Sequence, residues 1–535
     1  MQLADWIVIG VYLISLLSLA IYLSRRQTSP DDYFLGDNRL PAGTLAASTI
    51  ATQCSTNSLL GAPAFVGFVA GGGMIWLQYE LAVPLAMLAL FWIMVPARRH
   101  GITSIYAVLE IRVGRQARLT AAGCFLLFRG VATAVTIYGS ALIVSLILDL
   151  SFFTAVVLLM SATLLYDYLG GLTAVVISDA IQLVLLLSAV IFSLFFIGDL
   201  IAWDFFASER NNALVNDWGF DGEEYGFWPM LIGGLFLYAA YYGCDQSQAQ
   251  RILAARSEAE TARVLLLNGI CRFPIVLLYC FLGLGLAALS LQDASIVGAL
   301  PETSAGEKNI NLVFPVFVMS YFEPGFVGLV MVGLIAASMS SIDSALNSLA
   351  AVTVEDFLRP HLAPDTSPEK LLLWGRLCTL AWGLFAVVFA FQVEAIAPTV
   401  LEAVNKVGSM VNGPLLALIG AALLMRRCPQ WAALLGFGLG LLANIFVAGF
   451  FPEVSWLWWN VIGFIVTLSC ISVAGSIART QAPLTSAAAA GVPAGNEQGQ
   501  PMEIARVMPH KGYVAALLAA FVVILGVCIL LQIKA

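Results

Sequence analysis

Apolar runs of about twenty residues recur along this chain almost from end to end. A helix rises 1.5 Å per residue, so a run of that length matches the ~30 Å hydrocarbon core of a bilayer. About fourteen such segments are expected, with cores near 4–24, 42–70, 74–96, 119–149, 151–168, 173–200, 228–249, 262–291, 325–355, 370–393, 397–425, 431–451, 456–475 and 513–533. Inside a bilayer every backbone polar group must be satisfied without water, and helices do this within one segment. The expected fold class is therefore an all-α polytopic membrane protein whose first partner is the lipid bilayer. Only 11% of residues are charged, against about 25% in a soluble domain.

The basic residues set the orientation. With the N-terminus outside, one side collects Arg25, Arg26, Arg39, Arg98, Arg99, Arg112, Arg115, Arg118, Arg251, Arg256, Arg263, Arg426 and Arg427. The other side collects Arg210, Lys308 and Lys534, with most of the loop acids. This asymmetry is the positive-inside rule, and it puts both termini outside a bacterial inner membrane. The net charge of −8 reports acidic outer loops, not a nucleic-acid partner. Arg25 and Arg26 follow the first apolar run, so that run does not have the order of a cleaved signal peptide. Nine scattered cysteines without a CxxC pair are read as packing residues.

The charge pattern divides the chain. Residues 1–41 form an extra helix and inner loop, 42–200 a first group of five segments, and 201–227 an acidic outer loop. Residues 228–425 form a second group of five, running in the opposite sense, and 426–475 two further helices. Residues 476–512, rich in Ala, Ser, Gly and Pro, read as a mobile inner linker before a last helix at 513–535. Ile102 to Leu119 is expected to be a short amphipathic surface helix. Two five-segment groups of opposite sense suggest an inverted repeat, and the first helix of each is interrupted by polar residues: Ser48–Ser58 before Gly61-Ala-Pro63, and Tyr241–Gln248. Paired broken helices in matching positions point to a midplane solute site.

A third polar stretch lies in the ninth segment, Ala336-Ala-Ser-Met-Ser-Ser-Ile-Asp-Ser-Ala-Leu-Asn-Ser348. A charge at the bilayer centre costs roughly 2.5–3.5 kcal/mol even on the mildest scale, so the patch needs a reason. On a helix, Ala337, Ser340 and Ser341 share one face and offer a carbonyl and two hydroxyls. An all-oxygen set suits a hard cation such as sodium. The plain alternative is that the serines are small residues for close helix packing.

Four motifs together resemble the sodium/solute symporter family, which includes sodium–glucose, sodium–proline and bacterial sodium–sialic acid transporters. They are Asp32-Tyr-Phe-Leu-Gly-Asp-Asn-Arg-Leu-Pro41, Gly170-Gly-Leu-Thr-Ala-Val-Val-Ile-Ser-Asp-Ala-Ile-Gln182, Gln250-Arg-Ile-Leu-Ala-Ala-Arg256 and the ninth-segment stretch. The resemblance implies a five-plus-five inverted-repeat core of the leucine-transporter kind. It also implies a sodium site built from the carbonyls of Ala51, Cys54 and Ala337 and the hydroxyls of Ser340 and Ser341. By likeness to the sialic acid transporters, a second cation site would use Asp179, Ser340, Asp343 and Ser344, with Asp343 replacing a serine of those relatives. Alternatively, Asp179 pairs with a buried arginine and Asp343 is satisfied within a polar network.

Arg129 lies inside the fourth segment, and an intramembrane arginine is a functional-site hypothesis by default. Its fork suits a carboxylate; the alternative is a structural pair with Asp179. Gln53, Ser55, Ser58 and Gln78 match polar solute positions of the sialic acid transporters, and Tyr241 matches an inner-gate tyrosine of the sugar transporters. Asn405 is a further candidate, and Arg272 is expected to snorkel to the inner surface. The chain thus reads as a sodium-coupled symporter, acting as a monomer, that imports a small polar organic solute, with a carboxylate-bearing one favoured. Sodium is the coupling ion and no cofactor is expected. Sugar or amino-acid transport, proton coupling and a transporter-like sensor remain open. An enzyme is not expected, because no nucleophile–base–orienter set appears among the membrane segments.

Overall fold

The computed structural model describes residues 1–25, 33–34, 36, 40–99, 101–214, 218–219, 225–303, 306–361, 366–393, 400–425, 428–477 and 509–533. Most of the expected 476–512 linker, from 478 to 508, lies outside these, as do parts of the Asp32–Pro41 motif and of the 201–227 loop. Among the described residues, eleven helices are long and apolar enough to cross a bilayer. The main helices are labelled in chain order. α1 is Leu3–Ser24, α2 Ala42–Gln53, α3 Thr56–Phe68, α4 Ala82–Arg99, α5 Arg115–Leu148 and α6 Phe152–Leu200. α7 is Gly234–Cys244, α8 Gln246–Leu253, α9 Glu258–Gln292 and α10 Phe326–Val352. α11 is Pro368–Ala390, α12 Val400–Leu424, α13 Gln430–Phe450, α14 Trp456–Ile477 and α15 Lys511–Ile533.

Several departures from regular helix have local causes. α6 counts 49 residues, which would reach about 74 Å as one rod, more than twice the hydrocarbon thickness. It kinks at Gly171, whose φ of 58° and ψ of −173° are open to glycine and strained for other residues. The expected surface helix at 102–119 is not continuous. A six-residue turn of helix, Ala107–Arg112, ends at Gly114 with φ 140°, and the basic residues from Arg115 onward begin α5. α2 and α3 are two halves of one interrupted helix, and so are α7 and α8; no half is long enough to span alone.

α10 is the centre of the bundle. Every residue from Ala336 to Val352 is buried, the pattern of a helix enclosed on all sides. Its N-terminal end is fixed by α1: Asp5, 1% exposed, accepts the backbone N–H groups of Gly325 at 2.7 Å and Gly328 at 2.8 Å. A carboxylate there satisfies orphan donors at a helix N-terminus and suits its positive dipole end. α3 and α9 touch backbone to backbone. A Cβ on Gly67 would come within 2.8 Å of the Gly283 carbonyl, so these small residues permit the approach.

Candidate cation and solute site

The interrupted helix α2–α3 breaks at Cys54 (φ −80°, ψ 47°) and Ser55 (φ −83°, ψ −174°). The last carbonyls of α2 therefore lose their partners in the helical ladder. Hydroxyls from elsewhere take them up. Ser341 of α10 donates to the Thr52 carbonyl at 3.2 Å, Tyr279 of α9 to that of Cys54 at 2.8 Å, and Ser58 to that of Gln53 at 2.9 Å. On α10, the Ala337 carbonyl accepts from Ser340 at 3.0 Å and from Ser341 at 3.4 Å. The break and the Ala337–Ser341 face are thus in direct contact, and only oxygens meet there. Among the described residues no cluster of three His, Cys, Asp or Glu side chains suits a transition metal.

Beside this contact lies a cavity of about 120 Å³. Gln53, Ser55, Ser58, Arg129, Tyr241 and Asn405 all line it, and so does Ser341. Gln78 does not; it is fully buried, with its amide nitrogen directed to the Ile75 carbonyl (3.4 Å) and the Met230 sulfur (3.9 Å). Its neighbours Trp76 and Tyr79 reach the cavity instead.

Arg129 pairs with Asp245, not with Asp179. Its Nη1 lies 3.2 Å from Oδ2 of Asp245, and both side chains are nearly buried. Asp245 occupies the second break, with φ −77° and ψ 117°, and caps α8 by accepting from Ser247 N at 2.8 Å and Ser247 Oγ at 2.6 Å. The arginine's Nε is buried and without a hydrogen-bond partner. Tyr241 stands 5.8 Å from the guanidinium, ring centroid to carbon, and its hydroxyl accepts from Gln248 at 3.0 Å.

A second guanidinium lines the same cavity. Arg272 was expected to snorkel to the surface, but it is 5% exposed. It pairs with Glu80 at 2.8 Å, donates to the Tyr238 hydroxyl at 2.7 Å and lies 4.4 Å over the Tyr238 ring. The physical reason is Glu80. A fully buried carboxylate needs a counter-charge, and α9 supplies it across the bundle.

Arg251 also departs from expectation. The charge pattern groups it with the surface arginines, yet only 1% of it is exposed. It sits on α8, beneath the cation contact, and joins four elements. Its Nε donates to Ser48 of α2 at 2.6 Å, its Nη2 lies 3.3 Å from Asp179 of α6, and it also bonds the Ser344 hydroxyl of α10 and the Ser247 carbonyl. A guanidinium thus stands against two of the four residues expected to form a second cation site. Asp343 accepts from Ser344 at 3.3 Å through Oδ1, while its Oδ2 and one oxygen of Asp179 have no partner. Asp167, absent from the sequence reading, is fully buried with both carboxylate oxygens unpartnered, in electrostatic reach of Arg251 and Asp179. Its signal was available: an acid inside an apolar run, at Tyr166-Asp-Tyr168.

The profile of the sodium:solute symporter family matches residues 33–440, three quarters of the chain. The chain belongs to the sodium:solute symporter family. It is a multi-pass membrane transporter coupled to sodium, not an enzyme. A sodium/sialic acid symporter, NanT, of Aliivibrio fischeri is 28% identical over 479 residues, covering 87% of this chain and 91% of that protein. The human sodium/iodide cotransporter is 28% identical, covering 79% of this chain and 65% of its own. A solved structure of a sodium-coupled sialic acid symporter, substrate-bound and outward-open, matches with a TM-score of 0.80 at 24% identity, covering 90% of this chain and 99% of that one. That likeness bears on the fold.

Arg251 and Arg272 looked like surface residues by sequence neighbourhood, because charges near segment ends are usually solvated; Glu80 drew no reading of its own, and Asp245 was read only as part of the second helix break. Each proved to have a partner on another helix.

Proposed function

We propose that this symporter has fourteen spans in a five-plus-five inverted repeat, with both termini outside a bacterial inner membrane, and works as a monomer. The count takes the eleven long helices, divides α6 at Gly171, and adds the broken pairs α2–α3 and α7–α8 as one span each. Sodium binds the carbonyls of Ala51, Cys54 and Ala337 with the hydroxyls of Ser340 and Ser341. The contact between the broken helix and α10 supports this. Sodium would exchange the hydroxyl–carbonyl bonds there for ion contacts and hold α2 against α10. Solute and ion then stabilise each other's binding, a coupling that is reciprocal by necessity. Membrane potential adds about 2.3 kcal/mol per charge per 100 mV.

The solute is a small organic anion bearing a carboxylate, a sugar acid or a monocarboxylate. One observation carries this: Arg129 lines the cavity and keeps a buried, unpartnered Nε–H. A carboxylate is the ligand that satisfies a guanidinium edge best. The named solutes of the two relatives, a sialic acid and iodide, are both anionic. Gln53, Ser55, Ser58, Asn405 and Tyr241 offer the hydrogen bonds an organic solute needs.

A thermal-shift screen of the purified protein tests this reading, with sodium or choline as the salt. Carboxylic acids should raise the melting temperature only with sodium present. Stabilisation by neutral sugars or amino acids, with none by simple acids, would reject the anion assignment. Uptake that persists in choline would reject sodium at this site.

A further inference from the structure

A second hollow, of about 450 Å³, lies away from the transport cavity, between the start of α2 and the first turns of α9. Arg256, Glu260 and Arg263 flank it, Pro41, Ala42 and Gly43 form one wall, and Leu266 and Leu267 form its floor. We propose that this hollow binds the phosphodiester headgroup of an anionic phospholipid.

The lining carries two guanidinium groups, Arg256 and Arg263, against one carboxylate, Glu260. Glu260 is already engaged: it accepts the Ala42 N–H at 2.9 Å and pairs with Arg263 Nη1 at 2.6 Å. The Arg263 side chain is nonetheless 69% exposed. The space is open as well, since a Cβ placed on Gly43 would meet nothing within 4 Å. The apolar floor distinguishes a lipid from free phosphate. Leu266 is half-buried, and Ile270, one turn further along the same face of α9, is 39% exposed. A headgroup held by the two arginines would lay an acyl chain along that line. Basic pockets between helices at the inner surface are suited to anionic headgroups. This level is the inner surface in the orientation proposed above.

The site bears on transport through α2. Its N-terminal end forms the wall of the hollow, and its other end, about 18 Å away at 1.5 Å per residue, is the Cys54 break. A lipid that clamps the start of α2 to α9 therefore steadies the helix whose far end meets α10.

The test is lipid retention by the purified full-length chain, read by native mass spectrometry with phosphatidylglycerol or phosphatidylcholine. Each arginine near an anionic surface contributes about 1 kcal/mol, so Arg256→Gln with Arg263→Gln should weaken phosphatidylglycerol retention about 30-fold. Gly43→Phe fills the hollow without changing charge and should cause a comparable loss; it decides the matter if the double variant does not fold. Arg99→Gln, whose side chain pairs with Glu258 outside the hollow, should retain lipid. Undiminished phosphatidylglycerol retention in a folded double variant or in Gly43→Phe overturns the proposal. So does full displacement of the lipid by inorganic phosphate, which would make this a free-anion site. The readout involves no transport, so it stands apart from the identity of the solute.

Discussion

Replacing Asp245 by asparagine separates two duties of one side chain. As a cap, Asp245 accepts both Ser247 bonds through Oδ1, and an asparagine carbonyl keeps them. As a counter-ion, its Oδ2 faces Arg129 at 3.2 Å, and that charge is removed. At this distance, with an effective dielectric near 20, the attraction is about 5 kcal/mol, much of it offset by the cost of keeping both charges from water. A net remainder of about 1.4–3 kcal/mol is what a solute carboxylate must overcome when it competes for Arg129. Asp245→Asn should therefore tighten binding of a carboxylate solute by about 10- to 150-fold. The solute-free protein should melt at a lower temperature, because a buried guanidinium has lost its partner, and the acid should restore it. Calorimetric titration in sodium, with the acid and its neutral amide compared, measures this. An acid-to-amide affinity ratio that is the same in Asp245→Asn and the parent protein would refute the carboxylate clamp at Arg129.

Four further outcomes are expected. Arg251→Gln leaves Asp179 buried without a counter-charge and should cost about 3–5 kcal/mol of stability, while adding Asp179→Asn should recover much of it; equal losses in thermal unfolding would argue against the pair. Ser341→Ala removes the hydroxyl that bridges Thr52 and Ala337 and should raise the sodium concentration for half-maximal uptake about tenfold. Ser348→Ala, whose hydroxyl bonds only within its own helix at 2.7 Å, should leave that concentration unchanged. Asp5→Ala removes charge-assisted bonds to Gly325 and Gly328 and should destabilise the sodium-free protein by about 2–3 kcal/mol, seen as a lower melting temperature in detergent.

The sodium site proposed between the broken helix and α10 would explain why polar residues are tolerated in so apolar a chain. The freed carbonyls of Thr52, Gln53 and Cys54 are each met by a hydroxyl, as backbone acceptors away from water require. α10, enclosed throughout its polar half, gives the site a rigid wall on which the break can close.

What the sequence determined was local. Apolar length marked the helices, and polar interruptions within Ser48–Ser58 and Tyr241–Gln248 marked the breaks, because each depends on a few consecutive residues meeting hydrocarbon. The i, i+3, i+4 spacing put Ala337, Ser340 and Ser341 on one face for the same reason. The tertiary structure decided who answers each buried charge. Arg251 and Asp179 are 72 residues apart, and Ser48 and Asp179 are 131 apart. Arg129 was legible as a charge in the membrane, but not as the partner of Asp245. Gln78 shares the polar character of the cavity residues and still faces away from it. A charge in a low-dielectric interior must find its opposite, and only the packing of distant helices determines which opposite is within reach.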